Sequence, residues 1–193
     1  QDHQFIVEDY PRGYKWNYNQ ELDLLNDIYQ FNIAGNLQSY CLQPVAVKKI
    51  DVKDKLIYEL VDGQQRLTTI YIILRLISDE KIFRITYKTR KSSELFINEI
   101  HKLKSTVSHF ELYDENNSQK QFRVINNELN ELWTKYIVDN ASFDNVDNFH
   151  FFRAACIISG FFHNSNIDQS SFVTKLKNKV KIIWYEDVTN KTA

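Results

Sequence analysis

Five residues in a row combine charge, amide groups and backbone freedom: Asp62, Gly63, Gln64, Gln65 and Arg66. Glycine adopts backbone conformations closed to other residues and lets a ligand approach the main chain. The first-turn N–H groups of a helix attract an anion, and arginine adds a forked donor that suits phosphate or carboxylate. If a helix starts here, the stretch predicts an anion-binding turn.

The flanking segments place this stretch between a strand and a helix. Residues 55–61 are rich in β-forming side chains, which predicts a strand. After the stretch, apolar residues recur at the spacing of one helix face, at Ile70, Ile73, Leu74 and Ile77. Asp62 then has several alternatives: it accepts from a ribose hydroxyl, orients Arg66, holds a metal-bound water, or caps the helix. In that last, structural interpretation Arg66 is a solvated first-turn residue.

The composition indicates a globular protein with a sizeable core. Of 193 residues, 43% are hydrophobic, and only 4 Gly and 2 Pro argue against disorder. A net charge of −1 gives no overall attraction to nucleic acid, so such contact requires a local patch. Cys41 and Cys156 lie in apolar contexts, which predicts buried free thiols in the reducing cytoplasm. The sequence shows no signal peptide and no membrane-spanning run, so no membrane partner is expected.

Periodicity predicts the remaining elements and an α+β fold. Strands are predicted at 5–7, 41–50, 55–61, 81–89 and 181–186, the second and third forming a hairpin. Helices are predicted at 20–31 with Asn19 as N-cap, 69–77, 92–104 capped by Ser92 or Ser93, 119–138, 148–162 and 168–179. We therefore expect a core domain over residues 1–90 and a helical extension over 91–193, whose closing strand can return to the core sheet.

A second candidate site is the basic segment between residues 81 and 104. Lys88, Arg90 and Lys91 are its candidate DNA contacts, and phosphate contacts there would make binding salt-sensitive. The alternative is that these charges form a solvated face. The histidines and cysteines show no metal-ligand spacing, so no metal site is predicted from them.

Two segments carry a family resemblance. Val61-Asp-Gly-Gln-Gln-Arg-Leu-Thr-Thr69 resembles the signature of the GmrSD-type family, the DGQQR domain of type IV, modification-dependent restriction enzymes and related phage-defence proteins. Asp9-Tyr-Pro-Arg-Gly-Tyr-Lys-Trp16, followed by Gln20, resembles the family's opening, although Pro11 directly precedes Arg12 where the family often has Pro-x-x-Gln-Arg. Leu42-Gln-Pro-Val45 resembles the strand before the family's hairpin, so the resemblance covers residues 5–77.

The resemblance implies a ParB/sulfiredoxin-like core whose turn binds a nucleoside triphosphate, GTP or ATP, with Mg²⁺. It implies hydrolysis with Asp62, Gln65 and Arg66 as catalytic residues. The nucleotide contacts it implies are Arg12, Tyr14, Trp16, Asp62, Gly63, Gln64, Gln65, Arg66, Thr68 and Thr69. Arg12 would neutralise a second phosphate and the aromatic residues would stack on a base; alternatively Tyr14 and Trp16 are core residues and Arg12 a surface charge. The residues alone imply only anion binding.

The resemblance also implies partners. In the family a Phe-x-x-x-Asn segment and often an HNH nuclease domain follow the final strand, and the full-length protein acts on DNA. This sequence has no Met, so we expect a piece of a longer chain that ends before the nuclease domain. Two other functions stay open: a DNA-binding or modified-base-sensing module without NTPase activity, and an enzymatically silent scaffold.

Overall fold

A computed structural model describes residues 3–8, 13–31, 39–52, 55–78, 80–116, 118–164 and 167–187. The strands are β1 His3–Val7, β2 Tyr40–Val52, β3 Lys55–Asp62, β4 Phe83–Tyr87 and β5 Val180–Asp187. The helices are α1 Tyr18–Gln30, α2 Gln64–Ile77, α3 Lys91–Asn98, α4 Lys104–Val107, α5 Phe122–Asp139, α6 Val146–Asn164 and α7 Gln169–Lys179. This combination of sheet and helices confirms the predicted α+β class.

The five strands form one sheet in the order β4-β1-β3-β2-β5. β1 is parallel to both of its neighbours, β3 and β4, and β5 is parallel to β2. The predicted hairpin is present as the antiparallel β2–β3 pair, and the closing strand returns to the sheet beside β2. Because β1, β3 and β4 run in one direction, their carboxyl ends, Val7, Asp62 and Tyr87, lie at the same edge of the sheet.

Several predicted helix starts are wrong. Helix α2 begins at Gln64 rather than at residue 69, so Gln64, Gln65 and Arg66 lie in its first turn rather than before it. The N-cap of α1 is Asn17 rather than Asn19, because Asn17 and Gln20 form a reciprocal capping box in which each side chain accepts from the other's backbone N–H. Helix α3 begins at Lys91. Ser92 and Ser93, one of which was predicted to cap it, therefore lie inside the helix, and Ser93 is buried. The helix predicted to run to residue 104 is divided into α3, a 3₁₀ segment at Ile100–Leu103 and α4.

Helix α2 lies at the centre of the molecule. Every residue from Leu67 to Leu76 is buried, as the apolar pattern predicted. On one side the ring of Tyr71 packs 5.6 Å from that of Phe83 on β4, and α6 also contacts the helix. One continuous hydrophobic core includes residues from Phe5 to Leu176. Cys156 belongs to this core as predicted, whereas the predicted burial of Cys41 is wrong, because its side chain is exposed on β2. The division of the chain at residue 90 stays a prediction, and both portions share this core.

Candidate functional site

A cleft opens at the edge of the sheet where the parallel strands end. Its volume is about 470 Å³, and its walls are the end of β1 with Glu8, the side chain of Trp16, the end of β3 and the first turn of α2. Ligand sites in open α/β sheets occur preferentially at such carboxyl ends. The motif residues Asp62, Gly63, Gln64, Gln65 and Arg66 all line this cleft.

Gly63 sets the geometry of the turn. It is the N-cap of α2 in a left-handed conformation, with φ 87°, and a Cβ there would lie 2.8 Å from Cγ2 of Val45. Both facts favour glycine at this position. Among the residues that the structure describes, no side chain is seen to cap the helix, so the capping alternative for Asp62 is not observed; Asp62 is the exposed last residue of β3. The first-turn N–H groups therefore receive no side-chain cap.

Arg66 extends from the first turn of α2 towards β2. Its Nη1 donates to Oε1 of Gln43 at 2.6 Å and its Nη2 donates to the carbonyl of Pro44 at 2.7 Å. These acceptors lie where the register of β2 against β5 shifts, between Leu42 and Val45. Both acceptors are uncharged, so they hold the guanidinium in place without cancelling its positive charge at the cleft wall.

Gln65, a predicted catalytic residue, is hydrogen-bonded to the backbone of residues 13–16, which we call the Gly13–Trp16 loop. Its Oε1 accepts from the N–H groups of Lys15 and Trp16, at 2.7 and 3.1 Å. Its Nε2 donates to the carbonyl of Gly13 at 2.9 Å. The side-chain amide thus ties the loop to α2 and places Trp16, which is partly buried, in the cleft wall.

Gln64 and Thr68 face β4 one helical turn apart. Three buried polar groups meet here: the Gln64 amide, the Thr68 hydroxyl and the Tyr87 hydroxyl. Both Thr68 and Gln64 interact with the Tyr87 hydroxyl, although none of these contacts has ideal hydrogen-bond geometry. Burial raises the pKa of Tyr87, so its hydroxyl stays protonated at neutral pH. Thr68 is completely buried and lies beneath the cleft, whereas Gln64 also lines it.

Tyr14 and Thr69 also lie beneath the cleft, in what we call the buried polar network: Tyr14, Thr69, Glu21 and Arg153. The Tyr14 hydroxyl is 2.9 Å from Thr69 Oγ1 and 3.1 Å from Glu21 Oε1, and Arg153 Nη2 is 3.5 Å from the same carboxylate oxygen. Tyr14 is completely buried, which corresponds to the structural alternative for this residue. Arg12 lies outside the described residues.

Burial also controls the charge of Glu21. Desolvation raises its pKa to about 8, against the opposing effects of the Arg153 charge and the hydrogen bond from Tyr14. The carboxyl group is therefore largely protonated at neutral pH. The network joins α1, α2 and α6 through hydrogen bonds and partial charge rather than through a fully ionised pair.

A family match decides the identity of the domain. The family described as GmrSD restriction endonuclease, N-terminal domain, matches residues 1–192. The chain belongs to this family. It is accordingly the N-terminal domain of a protein of restriction and phage defence. Restriction enzymes act on DNA. A search for relatives among curated proteins finds no match.

Two negative findings apply to the described part of this GmrSD N-terminal domain. No helix there has both the length and the apolar character needed to cross a membrane. No three or more His, Cys, Asp or Glu side chains gather there as a potential metal site.

The three candidate DNA contacts of the GmrSD N-terminal domain each lie beside a carboxylate. Lys88 Nζ is 2.9 Å from Glu8, and Arg90 Nη1 is 2.7 Å from Asp147. Lys91 Nζ is 3.8 Å from Glu94. A nearby carboxylate reduces the attraction of a basic group for phosphate. DNA contact through these residues stays a prediction.

Several site residues were missed by the sequence analysis. Glu21 had a readable signal, because it shares a helix face with the buried residues Leu25 and Ile28 at positions i, i+4 and i+7. No sequence pattern indicated Asp147 or Arg153, because only folding brings α6 close to the Gly13–Trp16 loop and to α1. Glu8, at the end of β1, lines the cleft and carries a second carboxylate there.

Proposed function

We propose that this GmrSD N-terminal domain binds a nucleoside triphosphate, GTP or ATP, in the cleft and hydrolyses it. One observation supports this most: α2 begins at the left-handed Gly63 without a side-chain cap, in the wall of a cleft of about 470 Å³ that Arg66 also lines. An uncapped helix start presents N–H donors and a positive dipole end to an anion. The volume is typical of small-molecule sites, roughly 300–1,000 Å³.

The roles of the cleft residues follow from their partners. The first turn of α2 and the Arg66 guanidinium bind the phosphates, with Arg12 as the predicted second cation. Trp16 offers an aromatic surface for the base. The amide of Gln65 is engaged with backbone groups, which makes it a positioning residue in this scheme rather than a catalytic one. Gln64 also lines the cleft, although its Nε2 is buried beside Tyr87, so a ligand contact would come from the rest of its side chain.

The carboxylates of the cleft fit a magnesium ion. Mg²⁺ prefers oxygen ligands and in nucleotide sites is held by one or two carboxylates together with the phosphates. Asp62 is exposed at the end of β3 and Glu8 lies in the same cleft, although Glu8 also pairs with Lys88. When bound, the ion supplies neutralisation of phosphate charge. Asp62 is the residue that would hold it.

Binding and turnover of GTP and ATP should be measured with Mg²⁺ and with a chelator, for the wild type and for Asp62→Asn and Arg66→Gln. Asp23→Asn and Arg123→Gln are matched controls, because both parent residues are exposed on other helices, α1 and α5. We expect Asp62→Asn to lose turnover and Arg66→Gln to lose affinity by about tenfold or more, as for removal of a charge-assisted contact. Turnover at the control level in both variants would remove the assigned roles.

The same samples separate the alternatives. Binding to plain and modified duplex DNA should be followed over a salt series, with and without nucleotide. A steep salt dependence without any nucleotide effect would favour the DNA-binding, modified-base-sensing module. A scaffold without ligands predicts that no nucleotide raises the melting temperature, since only binding to the folded state does so.

A further inference from the structure

The Gly13–Trp16 loop has two separate sets of contacts. The Gln65 amide makes three hydrogen bonds to the loop backbone. The second contact is an ion pair between Arg90, the residue before α3, and Asp147 in the first turn of α6. Arg90 and Asp147 are 57 positions apart in sequence, so the pair also connects two elements of the helical half of the chain.

The ion pair packs directly against Gly13. A Cβ at position 13 would lie 2.0 Å from Oδ1 of Asp147 and 2.6 Å from Nη1 of Arg90. Such distances are far below van der Waals contact, so the pair occupies the space that a side chain at this position would need. The Arg90 and Asp147 side chains are 30% and 19% exposed, which leaves their mutual attraction only partly screened by water.

We infer that Arg90 and Asp147 are positioning residues for the cleft. They pack against Gly13 and, together with Gln65, hold the loop so that Trp16 forms the cleft wall. This inference rests on the proposed nucleotide site, since it assigns the pair to ligand affinity. It gives Arg90 a role other than the predicted DNA contact, and it makes the position of α6 one determinant of the shape of the cleft.

The two roles of Arg90 predict different effects of removing its partner, Asp147. If Arg90 contacted DNA phosphates, loss of Asp147 would strengthen DNA binding, because the carboxylate competes with phosphate for the guanidinium. If the pair positions the loop, loss of either side chain has the same effect on the cleft. A charge-swapped pair then restores the cleft, whereas it would not restore a DNA contact.

The test uses Arg90→Gln, Asp147→Asn, the swap R90D/D147R and Gly13→Ala, with Lys102→Gln as control for an exposed ion pair remote from the cleft. The readouts are nucleotide affinity and Trp16 fluorescence, the latter isolated by subtracting the spectrum of each variant combined with Trp16→Phe. Arg90→Gln and Asp147→Asn should each weaken nucleotide binding about tenfold, with the swap recovering to within about threefold, as expected for coupled neighbours.

Gly13→Ala tests the same idea without removing a charge. Its methyl group must displace the ion pair, so it should shift the Trp16 emission to the red and increase its quenching by acrylamide in the nucleotide-free protein, as the two single charge variants should. Lys102→Gln should leave both readouts at the wild-type values. Melting curves for all variants identify those that are folded at the assay temperature, and only these are compared.

Wild-type affinity and unchanged Trp16 emission in Arg90→Gln and Asp147→Asn would overturn the inference while leaving the proposed nucleotide site intact. DNA affinity that falls in Arg90→Gln and rises in Asp147→Asn, with Trp16 unmoved, would also overturn it and assign Arg90 to DNA. If the wild type bound no nucleotide, the proposed function would fail, and the nucleotide-free Trp16 emission alone would decide whether the pair positions the loop.

Discussion

The cleft and the buried polar network both include residues of the motif, Asp62 to Arg66 in the cleft and Thr69 in the network, yet they differ in physical character. In the cleft, Asp62 is exposed and Arg66 bonds to uncharged acceptors. In the network, Tyr14, Glu21 and Thr69 are completely buried and bonded to one another or to a close neighbour. The first region keeps charge available to a ligand, whereas the second satisfies polar groups that would be costly to bury alone.

Helical periodicity produces this separation. Residues four apart on a helix share a face, so Gln65 and Thr69 both point towards the Gly13–Trp16 loop and its Tyr14. Gln64 and Thr68 form a second pair that faces Tyr87, and Arg66 alone reaches β2. The side chains of one contiguous motif therefore point in three directions. Whether a substitution in the motif affects binding or stability depends on the helix face that it changes.

The largest effect is expected in the cleft, at Gly63. Gly63→Ala places a methyl group 2.8 Å from Cγ2 and 3.1 Å from Cα of Val45 and keeps a left-handed φ of 87°. We expect a loss of about 3 kcal/mol in the free energy of unfolding from strain and overpacking together. Urea denaturation measures it. The double variant Val45→Ala/Gly63→Ala should recover only the part that comes from Cγ2, so it should stay less stable than Val45→Ala alone. Equal stability of these two variants would contradict the geometry.

The next prediction is a pH dependence of stability that arises from Glu21 in the buried polar network. Unfolded Glu21 has a pKa near 4.5 and the folded residue one of about 8. Between these values the folded state retains a proton that the unfolded state releases, so stability falls as pH rises, by at most about 1.4 kcal/mol per pH unit. Glu21→Gln should remove this dependence, and Asp23→Asn on the same helix should retain it. Parallel stability profiles for Glu21→Gln and the wild type from pH 5 to 8 would refute the assignment.

The fold was largely predictable because its signals are local and periodic. The hairpin, the central helix and the closing strand follow from runs of β-forming residues and from the apolar spacing after the motif. The start of α1 was misplaced by two residues, because Asn17 and Asn19 are equally good capping residue types. Only the reciprocal bond with Gln20 distinguishes them.

The site was predictable in its location but not in the roles of its residues. The motif marks the turn, and Asp62 to Arg66 do line the cleft. The direction of the Gln65 amide depends on a loop about 50 positions earlier in the chain, and the partner of Arg90 lies on α6. Long-range packing of this kind produces no periodic pattern in a single sequence. A glutamine that holds a loop in place therefore cannot be distinguished there from a catalytic glutamine.

A smaller effect contrasts two aromatic residues of one loop. Tyr14→Phe deletes a hydroxyl from the buried network and should cost about 1 kcal/mol in the free energy of unfolding, with little change in nucleotide affinity. Trp16→Leu removes the ring from the cleft wall and should reduce nucleotide affinity by an amount typical of base stacking, about 1–3 kcal/mol. Calorimetric titration and thermal unfolding of both variants test the contrast. Equal loss of affinity in the two would mean that cleft and network act as one unit.

The smallest effect is expected at the rim of the cleft, where Lys88 pairs with Glu8. Lys88 is 62% exposed, so the pair is screened, and Lys88→Gln should change the free energy of unfolding by less than about 0.5 kcal/mol. The same substitution releases the Glu8 carboxylate within the cleft and adds negative charge beside a bound triphosphate. Affinity should therefore fall slightly at low salt and return to the wild-type value at high salt. Calorimetric titrations at both salt concentrations check this, and a large loss of affinity that high salt reduces without abolishing would place Lys88 itself in contact with the ligand.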